Sequence, residues 1–188
     1  LTSCTGTGAM TNASVSCSAS VTGQNVQVSS GPTLNVALDQ TTASTGQIVM
    51  GSTNNSLVSF RLSETGNVEN VKITELVITD TVATSTAKSS LTNLTLWQGT
   101  TQVGGPVSPV LETTGEGKYK NTFSFGTPII VPQNGTIVLT LKGDVATFSS
   151  GGAANNSAHA FQLSVAGRVT AFGQSSNTSV TGSSITGL

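Results

Sequence analysis

The chain has 188 residues, 36% of them hydrophobic and only 8% charged, with a formal net charge of -1 at pH 7; this allows one sizeable domain, or one domain with an appendage. Seven Lys and Arg, spread singly, leave no basic stripe to neutralise phosphates, which argues against nucleic acid as a partner, and no apolar run approaches the length of a membrane-spanning helix. Ser and Thr fill nearly a third of the chain and Gly contributes 21 residues, the composition of a secreted β-rich surface protein: it hydrates without charge and leaves little repulsion between neighbouring copies. A start at Leu1 rather than Met adds the expectation of processing from a longer precursor.

Residues 1–32 are the least core-like part of the chain. Val15, Val21, Val26 and Val28 sit among Ser, Thr, Gly and Asn, enough for two or three thin strands. The only two cysteines, Cys4 and Cys17, enclose a short loop here. With no CxxC spacing and no neighbouring His they read as a structural disulfide rather than a metal or redox motif, and so imply an oxidising, extracellular setting. Ala19-Ser-Val-Thr-Gly23 echoes Thr178-Ser-Val-Thr-Gly182, so chance or a pair of strand-like ends that join units would both account for it.

From residue 33 the chain reads as consecutive strands. Leu34, Val36 and Leu38 alternate with Asn35 and Ala37; Ile48 and Met50 follow; Val58, Phe60 and Leu62 alternate with Ser59, Arg61 and Ser63. Val71 and Ile73 pass to Leu76 and Ile78 with a change of phase across Thr74 and Glu75, which predicts a β-bulge. Further strands are expected at 91–97, 101–103, 119–125, 129–131, 137–141, 161–165 and 169–172, punctuated by Gly99, Gly104, Gly115, Gly126, Gly135 and Gly151. No stretch has a helical apolar repeat. Many short strands at this spacing predict an all-β, antiparallel sandwich over residues 33–188, with residues 1–32 as an extra N-terminal β-segment.

Three stretches carry a resemblance: Val71-Lys-Ile-Thr-Glu-Leu-Val-Ile-Thr79, Leu91-Thr-Asn-Leu-Thr-Leu-Trp-Gln-Gly-Thr-Thr-Gln-Val-Gly104, and Ile130-Val-Pro-Gln-Asn-Gly-Thr-Ile-Val-Leu-Thr-Leu-Lys-Gly-Asp-Val145. They resemble Ig-like (Greek-key) β-sandwich modules of prokaryotic cell-surface, S-layer and filament proteins, over about residues 33–172. The resemblance implies a wall-associated, adhesin-stalk or filament role, and brings no catalytic signature.

Chemistry is sparse. His159, the single histidine, precedes an expected strand and reads as a loop or strand-edge residue, since no GxSxG elbow supplies a nucleophile. The eight acids suggest no facing pair, and Trp97 and Tyr119 lie in strand patterns where packing is their expected role. For calcium, Asp39, Asp80 and Asp144 are the candidates, each near a strand end and able in principle to meet at one pole of the sandwich; no other cofactor is implied. Lys72, Lys118 and Lys142 lie on strands where an isopeptide bond to Asn could form, with no particular partner marked. Sequons occur at Asn12, Asn54, Asn93, Asn134, Asn155 and Asn177, close to the number chance gives; Asn93, inside a strand, is the poorest acceptor for glycan.

These readings converge on a non-enzymatic, self-assembling extracellular protein, a subunit or repeat unit of a filament, sheath or surface layer. Its partner is another copy or a neighbouring repeat, joined by strand pairing through residues 1–32. The alternative is an adhesin, stalk or carbohydrate-binding module whose polar loops at 113–120 and 149–157 form a recognition face.

Overall fold

Val58, Phe60 and Leu62 point into the core while Arg61 and Ser63 point away from it, so the alternation in the sequence is a pleat with one dry face. The computed structural model describes residues 5–16, 23–29, 31–39, 46–83, 89–113, 117–148, 157–163, 168–180 and 185–186. Its strands are β1 (Thr5–Thr7), β2 (Ser14–Ser16), β3 (Leu34–Leu38), β4 (Asn55–Glu64), β5 (Val71–Val82), β6 (Leu91–Gln98), β7 (Thr101–Val107), β8 (Val110–Thr113), β9 (Lys118–Val131), β10 (Thr136–Val145), β11 (His159–Gln162), β12 (Val169–Gly173), β13 (Ser179–Val180) and β14 (Ile185–Thr186). Among the described residues there is no α-helix.

Two larger sheets carry the fold. One has the order β14-β3-β4-β10-β6-β7; the other runs β13-β12-β5-β9-β8, with β11 on the far half of β5. Pairing is antiparallel except where β14 lies parallel to β3. Leu34, Phe60, Leu62, Leu94, Leu96, Leu139 and Leu141 of the first sheet meet Ile73, Leu76, Ile78, Phe123 and Val131 of the second in one continuous core. β1 and β2 form a separate two-stranded sheet, Thr5 opposite Ser16 and Thr7 opposite Ser14.

Bulges set the phase of the apolar residues. Against β12, residues Ile73 and Glu75 face consecutive partners Ala171 and Thr170, so Thr74 is the extra residue and the expected bulge is present. A second bulge was not expected. Thr92 and Thr95 of β6 face Asp144 and Lys142, and the additional residue is accommodated at Asn93, which takes a left-handed φ of 51°. That shift brings both Leu91 and Leu94 onto the core face. Gly143 lies where a Cβ would come within 2.6 Å of the Leu94 side chain, so any larger residue here would force Leu94 to shift within the core.

Elsewhere the boundaries move. Ile48 and Met50 do not form a strand: the Ser52 hydroxyl donates to the Val49 carbonyl at 2.6 Å, Gly51 takes a φ of 79°, and the chain turns. The segments expected at 119–125 and 129–131 are one strand, β9, because a register shift between Ser124 and Ile129 absorbs Gly126 without ending the ladder. β8, β13 and β14 were not expected, being two to four residues long.

One pole of the sandwich is tied together by a buried carboxylate. Glu64, 2% exposed, accepts from the backbone N–H groups of Gly66 at 2.8 Å, Asn67 at 3.0 Å and Asn134 at 2.8 Å. The bonds join the β4–β5 turn to the β9–β10 turn, and satisfy turn N–H groups that would otherwise be desolvated. Glu64→Ala is expected to lower unfolding free energy by roughly 3 kcal/mol, because several donors lose a charged acceptor at once; urea denaturation measures it, and a loss within about 0.5 kcal/mol would refute the role.

Candidate functional site

At the opposite pole, the apolar phase of β5 runs Leu76, Ile78, Asp80, Val82, which puts a carboxylate where a core residue belongs. Asp80 is 0% exposed. Its Oδ2 lies 2.8 Å from Nδ1 of His159, the first residue of β11, and Nε2 of His159 lies 2.9 Å from Oγ of Ser90, just before β6. The line Ser90, His159, Asp80 thus bridges the two sheets. Beside it, the Asn121 amide donates to the Ile78 carbonyl at 3.0 Å, while Asp80 Oδ1 and Asn121 Oδ1 are buried without a hydrogen-bond partner among the described residues.

A serine, a histidine and a carboxylate in this order form the arrangement that activates a serine for acyl transfer. Acyl transfer also needs a substrate carbonyl at the serine oxygen, and Ser90 is only 2% exposed. The supported chemistry is a polar clamp, in which the histidine supplies the hydrogen bond that a buried carboxylate requires. Sequence reasoning placed His159 at a strand edge and missed its partners, which lie 69 and 79 positions away. The available signal was Asp80 on the apolar phase of its strand.

The structure does not bring the three calcium candidates together. Asp39, buried after β3, pairs with Arg61 at 2.8 Å; Asp80 belongs to the clamp; Asp144 accepts from the Asn54 N–H at 2.8 Å and the Asn93 amide at 2.9 Å. Among the described residues no three His, Cys, Asp or Glu side chains gather around a common point. The Asn93 amide, and then the Asn54 N–H, hold the Asp144 carboxyl below its usual range. Glu69 is lowered as well, first by the Ser176 hydroxyl and then by the N–H groups of Ser176 and Ser175.

Asparagine geometry accounts for the sequons. Asn12, Asn54, Asn93, Asn134 and Asn177 are all exposed and all have left-handed φ, as does Asn67 outside any sequon. Asn tolerates this conformation better than other side-chain-bearing residues. At Asn12, Asn54, Asn134 and Asn177 a strand begins one or two residues later. The Asn-x-Ser/Thr pattern is therefore also the signature of a turn entering a strand. Asn155 lies outside the described residues, as do Cys4 and Cys17 and most of the 149–157 loop.

Lys72 does meet an asparagine, donating to Asn177 Oδ1. The setting does not favour a covalent bond, because Glu69 beside them is held ionised whereas amide formation needs a protonated acid. Lys118 and Lys142 have other surroundings: Lys118 lies on β9 opposite Thr81, and Lys142 sits 4.6 Å from the centre of the Trp97 ring. That contact puts Trp97 on the outer face of its sheet with a cation over the ring.

Beyond the sandwich, residues 23–29 are exposed throughout and join no ladder among the described residues. Val26 and Val28 are 88% and 92% exposed. Comparison with protein-family models, with curated proteins and with solved structures finds no match to this chain.

His159→Ala strands a buried carboxylate and is expected to cost about 3 kcal/mol, against about 1 kcal/mol for Ser90→Ala, which removes the outer bond; urea denaturation giving the reverse order would rule out the clamp. Asp144 and Glu69 bind their protons less tightly folded than unfolded, so each contributes stability above the ordinary carboxylate range that disappears as pH falls through the lowered folded value. The stability difference between wild type and the double variant Glu69→Gln, Asp144→Asn should therefore shrink between pH ~6 and pH ~2; a difference that stays constant across thermal melts in this range would contradict it.

Proposed function

We propose that this chain is a structural, self-associating extracellular module, a subunit or repeat unit of a filament, sheath or surface layer, with an Ig-like sandwich as its rigid body. The observation that carries the reading is the segment 23–29: exposed, alternating Val26 and Val28 with polar residues, and joined to no ladder among the described residues. Two valines spaced by two lie on one side of an extended strand. Such a strand lacks only a sheet edge, and an edge on a second copy provides main-chain hydrogen bonds without special side chains.

A disulfide between Cys4 and Cys17 would fit the same picture. In the hairpin of β1 and β2, Thr5 lies opposite Ser16, and the two cysteines are their neighbours in sequence. A Cys4–Cys17 cross-link would be worth on the order of 3 kcal/mol in the chain-entropy model. It would shape the joining arm before docking and lower the ordering cost of assembly. A chain that relies on a disulfide in its arm belongs in an oxidising compartment, at or outside the cell surface.

A carbohydrate-binding stalk has less support. The sole tryptophan already carries Lys142 over its ring, leaving less aromatic surface for stacking on a sugar.

The test uses the full chain with its disulfide intact. Wild type should form regular polymers on concentration, seen by electron microscopy and sedimentation, and Val26→Lys with Val28→Lys should remain monomeric with unchanged melting. Wild type that stays monomeric at every concentration would overturn the reading.

A further inference from the structure

A joining strand needs an edge to join, and the sheet edges are unequal. β13 and β14 are two residues long, and β14 pairs with Leu34 and Asn35 of β3, so that among the described residues only residues 36–38 of that edge remain, with Leu38 as their one exposed apolar side chain. β7 contains Pro106, which has no N–H to offer, and its ladder with β6 is broken by two register shifts. The exposed positions of β11 are Ala160 and Gln162, which offer little apolar surface.

β8 differs. It carries Val110 at 64% exposure and Leu111 at 44%, adjacent apolar residues on a sheet edge. Natural sheets seldom leave such an edge unprotected unless another chain covers it. The register assigns each residue a face: Leu111 lies opposite Tyr119, Tyr119 opposite Asp80, and Asp80 is fully buried, so Leu111 belongs to the core side. Val110 lies opposite Lys120 and belongs to the outer side, where Glu112 pairs with Arg168. Leu111 is therefore a core-side residue at the rim, with nearly half its surface uncovered.

We infer that β8 is the acceptor edge: residues 24–29 of a second copy add alongside it, Val26 and Val28 on the core side against Leu111, and Gln27 outward beside Val110. The inference rests on the self-associating reading above and specifies its docking site. The occupant is a second copy because the same chain supplies an exposed segment that joins no ladder among the described residues and carries Val26 and Val28 two positions apart, as one side of an added strand requires. Residues 23–29 carry no charge, so no ionic cost opposes their approach to Glu112. The contact is heterologous, each copy giving an arm at one place and receiving one at another, and such contacts propagate into filaments unless the rotation closes a ring.

Four variants of the whole chain test it: Leu111→Lys, Leu111→Gln, Val110→Lys, and the double variant Val26→Lys, Val28→Lys. Leu111→Lys should raise the concentration needed for polymer at least about tenfold, since an ammonium would be buried in the joint, while Val110→Lys on the outer side should shift it by less than about threefold. Leu111→Gln, without charge, should fall between them. Each protein keeps one half of the joint, so Leu111→Lys mixed with the arm variant should give heterodimers that stop there, measured by native mass spectrometry. A mixture without heterodimer overturns the assignment. Polymerisation of Leu111→Lys at wild-type concentrations, with the arm variant still monomeric, would move the acceptor away from β8 and leave the strand-joining reading standing. Polymerisation of the arm variant itself would remove both.

Discussion

Each of the two main sheets has only one strongly apolar face, and neither can keep that face dry alone. This constraint organises the molecule: Leu, Val, Ile and Phe from both sheets close on each other in one core, and burial of that area is the main favourable term available to a chain with so few charged residues. The weak points of such an arrangement are its ends, where strands turn and backbone N–H groups lose their ladder partners. Both ends contain a buried carboxylate. Glu64 gathers N–H groups from two turns at one pole, and Asp80 is held at the other by His159, which in turn bonds Ser90.

The bulges at Thr74 and Asn93 follow from the same need. A strict two-residue period would turn part of β5 or β6 away from the core, and one added residue restores the apolar side. At Asn93 the added residue also has a second role, since its amide reaches Asp144 and helps tie down the turn before β4. Asparagine suits such positions because its short side chain tolerates the left-handed backbone and can bond locally. The repeated use of asparagine at turns is thus part of how a weakly charged chain specifies its corners.

Exposed large apolar residues include Met10, Val15, Val49 and Phe148 outside the main strands, Val26 and Val28 on a segment that joins no ladder among the described residues, and Val110 and Leu111 on the edge strand β8. A sheet edge tolerates a wide range of partner sequences, because main-chain groups make the bonds, and side-chain alternation then selects the register. A weak net charge would suit the proposed association, since copies would meet without long-range repulsion.

The sequence by itself determined the fold class and most strands, because a one-faced strand must alternate and Val58, Phe60 and Leu62 do so. It also determined the bulge at Thr74, visible as a break in that alternation. Only tertiary structure decided which polar residues are buried together. Ser90, Asp80 and His159 are scattered along the chain, and it is the placement of β11 on β5 and of β6 in the facing sheet that makes them neighbours. For the same reason Asp39, Asp80 and Asp144, alike in sequence position, separate into three different environments. Periodicity is a local property that each strand carries in its own residues; proximity across sheets is decided by strand order, which no single segment encodes.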